Sequence, residues 1–361
     1  MHELRREFPV FEHVAYLNSG TNGPVPARAV RAVQDSVDVQ AQQGRSGKAL
    51  FEGMLERVEE LRSRAASTLG CGPGDVALTG STTDGVNAVL TAMALGPGDE
   101  VLTSDQEHPG VLAPLAALRA KAGVEIRVAP FDSLAGGVTE QTKLIACSHV
   151  SWHSGAVVDC GALVATGVPV LLDGAQALGA IDLNVQMLCC DFYAASGQKW
   201  LCGPNGMGYL YVRPERCAEL APPWPGYGTV EDPHDPLGSH FREDARRFDV
   251  LGFPAPHQTE WALAAFDVFD AHGGPAVLHE RATAQAEVLA GMLAEAGHEV
   301  APRGHSTLVS WRADDPAELV AAMADRGLVL RDLPGTPYVR ASVGAWNDEG
   351  DMDRLVAELA A

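Results

Sequence analysis

From residue 76 to residue 212 short apolar runs alternate with longer helix-like stretches. Residues 76–79, 101–104, 126–129, 144–148, 168–172, 192–194 and 207–212 carry the short apolar pattern of buried strands. Ala/Leu-rich segments at 84–95 and 110–122 read as helices, and Gly96-Pro97-Gly98 and Gly123 mark joints. Strand–helix alternation predicts an α/β fold: a mainly parallel seven-stranded sheet flanked by helices. The last run closely follows the turn Gly203-Pro204-Asn205-Gly206, the spacing of an antiparallel neighbour.

Residues 221–249 change character. They are rich in Pro, Gly, His and acidic residues and read as a long functional loop or linker. Helical patterning returns at 259–272 and 278–296, followed by a strand at 307–311, a helix at 316–326, a strand at 339–343 and a last helix from Glu349. The expected organisation is a large domain over 15–253 and a smaller α+β C-terminal domain over 254–361, joined by the N-terminal segment 1–14.

Composition narrows the partners. The chain has 361 residues, 46% of them hydrophobic and 20% charged, so a large core is available and disorder is excluded. Its formal charge of −21 repels phosphate backbones, which argues against a nucleic-acid partner. No apolar run is long enough for a membrane span, and the charged start Met1-His2-Glu3-Leu4-Arg5-Arg6 lacks a signal-peptide core. A cytoplasmic protein is expected. None of the seven cysteines sits in a C-x-x-C pair, so neither a metal site nor a disulfide framework is expected. Only Lys48, Lys121, Lys143 and Lys199 are lysines among 26 basic residues. A lysine kept where arginine is the default cation is a candidate for chemistry that arginine cannot do, such as forming an imine.

Four segments place polar groups where apolar runs end. Ser196-Gly197-Gln198-Lys199-Trp200 sets a lysine among apolar neighbours, which lowers an amine's pKa and makes it nucleophilic. As a plain surface lysine it would sit poorly beside Trp200, Leu201 and Cys202. Asp173 ends the run Leu171-Leu172, at the strand edge where open α/β sheets bind ligands; alone, it reads more simply as a helix cap. An acid and a lysine 26 residues apart on neighbouring strand ends suit pyridoxal phosphate, whose ring nitrogen needs an acid and whose aldehyde needs an amine. Thr79-Gly80-Ser81-Thr82-Thr83 opens a helix with hydroxyls and free N–H groups, a cradle for one phosphate and not a P-loop. Asp105-Gln106-Glu107-His108-Pro109 puts a histidine at another strand end, where its ring can lie on a flat cofactor.

In this order the four segments resemble the class V aminotransferase family of pyridoxal-phosphate enzymes, cysteine desulfurases included. The resemblance runs from Tyr16-Leu17-Asn18-Ser19-Gly20 to Val339-Arg340-Ala341-Ser342. It implies a fold type I enzyme and a homodimer, with an amino acid as substrate. It further implies that Lys199 carries the cofactor, Asp173 pairs with the ring nitrogen and His108 stacks on the ring. Gln176 reaches the phenolic oxygen, and Thr82, Thr83 and Ser196 hold the phosphate. Arg340 clamps the substrate carboxylate, while Asn18, Trp152 and His153 border the substrate. The chain departs from the family pattern in three places. Gln198 stands where a histidine usually precedes the lysine, Gly252 stands where a threonine usually follows Arg247-Phe248-Asp249, and Ser148-His149-Val150-Ser151-Trp152-His153 lacks the family asparagine.

Cysteine desulfurases carry a mobile cysteine shortly before the carboxylate arginine. Here Leu328-Val329-Leu330-Arg331-Asp332-Leu333-Pro334-Gly335-Thr336-Pro337 holds no thiol. The chain looks more similar to the cystine/cysteine C–S lyase branch in Arg6-Glu7-Phe8-Pro9, Trp152-His153-Ser154-Gly155 and the pair Lys199-Trp200. That branch implies β-elimination to pyruvate, ammonia and a persulfide or thiol. The alternatives are an isopenicillin N epimerase-like reaction and a class V transamination. A cofactor-free binding protein on the same fold is disfavoured by the joint presence of Lys199, Asp173 and His108.

Overall fold

A computed structural model describes residues 2–250 and 252–360. Its strands are β1 (Ala15–Tyr16), β2 (Val76–Thr79), β3 (Glu100–Ser104), β4 (Glu125–Ala129), β5 (Thr142–Ser148), β6 (Val170–Asp173), β7 (Phe192–Ser196), β8 (Gly208–Val212), β9 (Leu308–Arg312), β10 (Leu328–Val329), β11 (Arg331–Asp332) and β12 (Tyr338–Ser342). Strands β2 to β8 form one seven-stranded sheet in the order β2-β8-β7-β6-β5-β3-β4. The pairs β4/β3, β3/β5, β5/β6 and β6/β7 are parallel; β8 alone runs against its two neighbours. Strands β2, β6, β7 and β8 are buried at every position, because helices cover both faces and leave no side to alternate toward water.

The two faces have separate cores. Helix Thr82–Ala92 lays Val86, Val89 and Leu90 on one face with Leu171, Phe192 and Leu210. The other face buries Leu61, Ala65 and Leu69 of helix Lys48–Leu69 against Leu78, Leu172, Tyr193 and Tyr211. The sequence pattern had not singled out helices Ala27–Gln43 and Lys48–Leu69. The first buries only Ala29, so it carries almost none of the apolar stripe by which a packed helix is recognised.

Strand β6 starts two residues later than expected, since Gly167 turns with positive φ and Pro169 follows it; the strand therefore ends on Asp173 itself. The expected loop 221–249 holds no helix or strand until the short 3₁₀ turn Ala245–Phe248. Its end is pinned by Asp249, which accepts from Leu78 N at 2.7 Å and pairs with the buried Arg62 at 2.9 Å.

Beyond it, β11-β12-β9 make an antiparallel sheet and β1 pairs with β10. Two segments pack across the expected boundary at 254. Helix Pro256–Ala271 sends Ala262, Phe266 and Phe269 into the core of the large sheet. Ala15 and Leu17 pack instead with Leu289, Val309, Trp311 and Val339 of the C-terminal unit. A bridge from Asn18 to Ser342 then carries the chain from the small sheet to the mouth of the large one. No helix among the described residues is long and apolar enough to cross a membrane.

Candidate active site

Parallel strands in one sheet point their carboxyl ends the same way, and the loops leaving them converge. Here they enclose an open cavity of about 220 Å³. Asp173, Ser196 and Lys199 come from the ends of β6 and β7, Thr82 and Thr83 from the first turn after β2, and His108 from the turn after β3. Arg340 enters from β12 and Trp152 from the loop after β5. Gln176 and Gln198 complete the set. Ten of the twelve residues named from sequence thus line one cavity.

Asn18 and His153 do not. Asn18 Oδ1 accepts from Thr21 Oγ1 at 2.8 Å, tightening a turn that brings Gly20 and Thr21 to the wall in its place. His153 lies behind Trp152, ring against ring at 4.6 Å, and its carbonyl accepts from Ser310 Oγ at 2.5 Å.

Lys199 is half-buried, and its amine makes no hydrogen bond or ion pair with the described residues. Desolvation lowers its pKa to about 8; Asp173 pulls it up and Arg340 pushes it down. Asp173 is buried, and its Oδ1 accepts from Ala175 N at 2.8 Å. Desolvation raises its pKa, against the opposing pull of Lys199 and the Ala175 N–H.

The anion cradle is built as helix physics dictates. Ser81 caps helix Thr82–Ala92 by accepting from Asp84 N at 3.1 Å. Ser196 Oγ lies 2.6 Å from Thr82 Oγ1 and accepts from Thr82 N at 3.2 Å. Three hydroxyls, Thr82, Thr83 and Ser196, therefore meet at a helix N-terminus. His108 caps the next helix, accepting from Gly110 N on Nδ1 at 3.0 Å, and stands edge-on to Trp152 at 5.1 Å. Desolvation first, then Lys199, Arg340 and Arg331, hold its pKa below the usual range, so the ring is neutral at neutral pH.

Arg340 is buried and donates to Trp152 O at 2.9 Å, while its Nε has no partner. A purely structural role, braced by Asp351 or Asp353, finds no ion pair among the described residues: Asp351 pairs with Arg5 at 2.6 Å. Desolvation and then Arg331 lower the Arg340 pKa to about 9. Gly20 makes this closeness possible. A Cβ there would lie 2.7 Å from Ser342 Oγ and 3.0 Å from Arg340 Nη2.

Sequence reasoning missed two residues. Arg331 sits opposite Arg340 across β11 and β12 and lines the same cavity. Among the described residues no carboxylate pairs with either arginine. The signal for Arg331 in the sequence is a second cation nine residues before Arg340, in the segment that holds no thiol.

The other is Glu107, buried beside His108. It accepts from the Ser104 hydroxyl, from Ser148 N at 2.9 Å and from Ser148 Oγ at 2.6 Å. It thereby ties the His108 turn to the end of β5. Desolvation pushes its carboxyl up to about 7, against those hydrogen bonds and with help from Asp173. In the folded state Glu107 keeps a proton that the unfolded chain releases between 4.5 and 7, so its contribution to stability falls as pH rises through that window. Glu107→Gln should therefore lose less stability than wild type across it, by about 1–3 kcal/mol, in urea unfolding of the cofactor-free protein. Parallel curves would contradict the raised carboxyl.

A mainly parallel sheet with a desolvated lysine, an opposed aspartate and a hydroxyl-lined helix start at its carboxyl edge defines an α/β protein built around an amine and an anion site. The chain belongs to the aminotransferase class-V family, whose model matches residues 15–355. A cysteine desulfurase of Cronobacter sakazakii is 29% identical over 397 residues, covering 99% of this chain and 97% of that protein. The cystine C–S lyase C-DES, solved with its reaction product cysteine persulfide, superposes with a TM-score of 0.92 at 27% identity, covering 98% of this chain and 99% of that one. A lysine-to-alanine mutant of C-DES, solved with glycine covalently linked to its PLP cofactor, gives 0.93 at 26% identity and covers 99% and 98%. The α/β class expected from the hydrophobic pattern is thus the fold of these enzymes.

Proposed function

We propose that the chain is a pyridoxal-phosphate-dependent C–S lyase. It acts on cystine or a cystine-like amino acid and releases pyruvate, ammonia and a persulfide or thiol. The observation that carries the choice of reaction is the cavity lining, which has two arginines without acidic partners and no thiol. Two cations suit a substrate with two carboxylates, as cystine has.

The residues present fit the cofactor. Lys199 would be its point of attachment, Asp173 would hold the proton on its ring nitrogen, and Thr82, Thr83, Ser196 and Gln198 would hold its phosphate. Arg340 Nε is buried without a partner, as expected of a donor facing an anionic ligand. When bound, the cofactor supplies an electron sink for charge at the substrate α-carbon. The neutral His108 ring offers a flat face and no competing charge. Lys199, with a pKa near 8, is uncharged often enough to take the α-proton and acidic enough to return one. Arg340 fixes the α-carboxylate by a two-pronged contact, and Arg331 receives the distal one. Loss of the β-sulfur then needs only a good leaving group, and a persulfide is better than hydrosulfide.

The thiols support elimination over persulfide transfer to the protein. Cys147 and Cys202 are buried with pKa values pushed well above the ordinary thiol range by desolvation, which makes them poor nucleophiles. The one exposed thiol, Cys189, caps helix Val185–Leu188, away from the cavity lining. The test is a variant with all seven cysteines replaced by Ala or Ser. Pyruvate formation per cofactor-loaded site should stay within about tenfold, roughly 1.4 kcal/mol in barrier. Abolished turnover on replacing a single cysteine, in a protein that still folds and binds cofactor, would restore a desulfurase mechanism. The same proposal includes a homodimer, for which the exposed Phe51, Trp224 and Tyr227 are available surface.

A further inference from the structure

Gln176 is a side-chain amide whose two ends are both fixed by groups that permit only one orientation. Its Oε1 accepts from the indole Nε1 of Trp200 at 3.1 Å. Its Nε2 donates to the Gly20 carbonyl at 2.8 Å. An indole N–H can only donate and a carbonyl can only accept. Turning the amide over would set its oxygen against the Gly20 oxygen and its NH₂ against the indole N–H. An amide nitrogen carries two hydrogens, so one N–H of this cavity-lining side chain remains to donate. Gln176 and Trp200 are both buried, so water does not relieve a wrong orientation.

We propose that Trp200 is a positioning residue, which locks the Gln176 amide so that it is always a donor, never an acceptor, to the group bound beside Lys199. The proposal rests on the cofactor reading above and adds to it a residue that touches neither cofactor nor substrate. Trp200 directly follows Lys199 in the chain. One side chain therefore ties the segment carrying the amine to the amide across the cavity. Gly20 closes the chain, since the turn that presents its carbonyl to Gln176 also leaves room for Arg340.

A fixed donor favours the deprotonated, anionic form of the oxygen it faces and so lowers that oxygen's affinity for a proton. Without the indole N–H only the Gly20 carbonyl holds the amide in this orientation, the donor is less firmly fixed on the anion, and proton affinity rises. The experiment loads the purified protein with pyridoxal phosphate and follows visible absorption against pH. Benzothienylalanine at position 200 keeps the shape of tryptophan and removes only the N–H, so packing is retained; Trp200→Phe is the genetic counterpart. Both should move the spectral midpoint to higher pH by about half a unit or more. In a Gln176→Ala background the same replacements should move it no further, because the residue through which Trp200 acts is gone.

An unshifted midpoint in the benzothienylalanine protein would overturn the proposal. So would a shift that persists undiminished in the Gln176→Ala background, which would make Trp200 a packing residue that deforms the site generally. Failure of the unmodified protein to take up the cofactor at all would instead contradict the proposed function, so the two failures are told apart by the wild-type spectrum.

Discussion

Borohydride reduction of the cofactor-loaded protein, followed by peptide mapping, should place the pyridoxyl label on Lys199 and on no other lysine. Lys48 and Lys121 are exposed, and Lys143 lies on β5 pointing to solvent, whereas Lys199 opens onto the cavity. Desolvation, partly offset by Asp173, draws the Lys199 pKa down to about 8. An amine near neutrality is nucleophilic where an ordinary lysine is protonated. Lys199→Ala should lower kcat by at least about 10³-fold, roughly 4 kcal/mol, because both attachment and proton transfer depend on the same nitrogen. Lys199→Arg should do no better, since a guanidinium neither condenses with an aldehyde nor gives up its proton. Label on Lys143 or Lys121 would overturn the site assignment.

Arg340→Ala is expected to lower kcat/KM by about 2–4 kcal/mol while the absorption of the bound cofactor stays nearly unchanged. The guanidinium is buried, has an unpartnered Nε and lacks a carboxylate partner, with Arg331 facing it across the small sheet. Two adjacent cations repel, and among the described residues no carboxylate pairs with either to offset that cost. A bound carboxylate relieves it, which is the physical content of a substrate clamp. Arg340→Lys retains charge but loses the planar fork, so it should remain impaired. Thermal stability measured alongside separates the outcomes. Removing a clamp leaves the melting temperature level or raised, because the repulsion with Arg331 is gone. Removing a structural brace lowers it and spares activity per bound cofactor. Unaltered normalised activity would remove the case for an α-amino acid substrate.

The sheet was legible because its strands are buried on both faces: Val76–Thr79, Phe192–Ser196 and Gly208–Val212 stand as continuous apolar runs against polar joints. Residues that sit where such runs end, Asp173, Ser196 and Thr82, could be placed from the sequence because the end of a parallel strand has a fixed address in the fold. Helix Ala27–Gln43 could not, since a helix that buries one alanine leaves no periodic trace. Asn18 and His153 were misplaced for a related reason. Both lie in irregular backbone, where being next to a wall residue does not put a side chain on the wall: Asn18 turns back to Thr21 and His153 packs behind Trp152. Arg331 and Glu107 stayed hidden because their importance lies in pairing. Arg331 matters through its register with Arg340, and Glu107 through Ser148, 41 residues away in the chain. Neither pairing is visible before the sheets assemble.

The carbon product formed from cystine tests the central claim most directly. Both reactions use the same lysine and cofactor, but elimination from cystine ends in pyruvate, ammonia and cysteine persulfide, while desulfuration of cysteine onto a protein thiol leaves alanine. Loaded protein incubated with cystine, with quantification of pyruvate, alanine and persulfide, should give pyruvate and persulfide in equal amounts and no alanine. Alanine as the main product from a parallel incubation with cysteine, with a persulfide on a cysteine of the protein, and no pyruvate from cystine, would contradict the account.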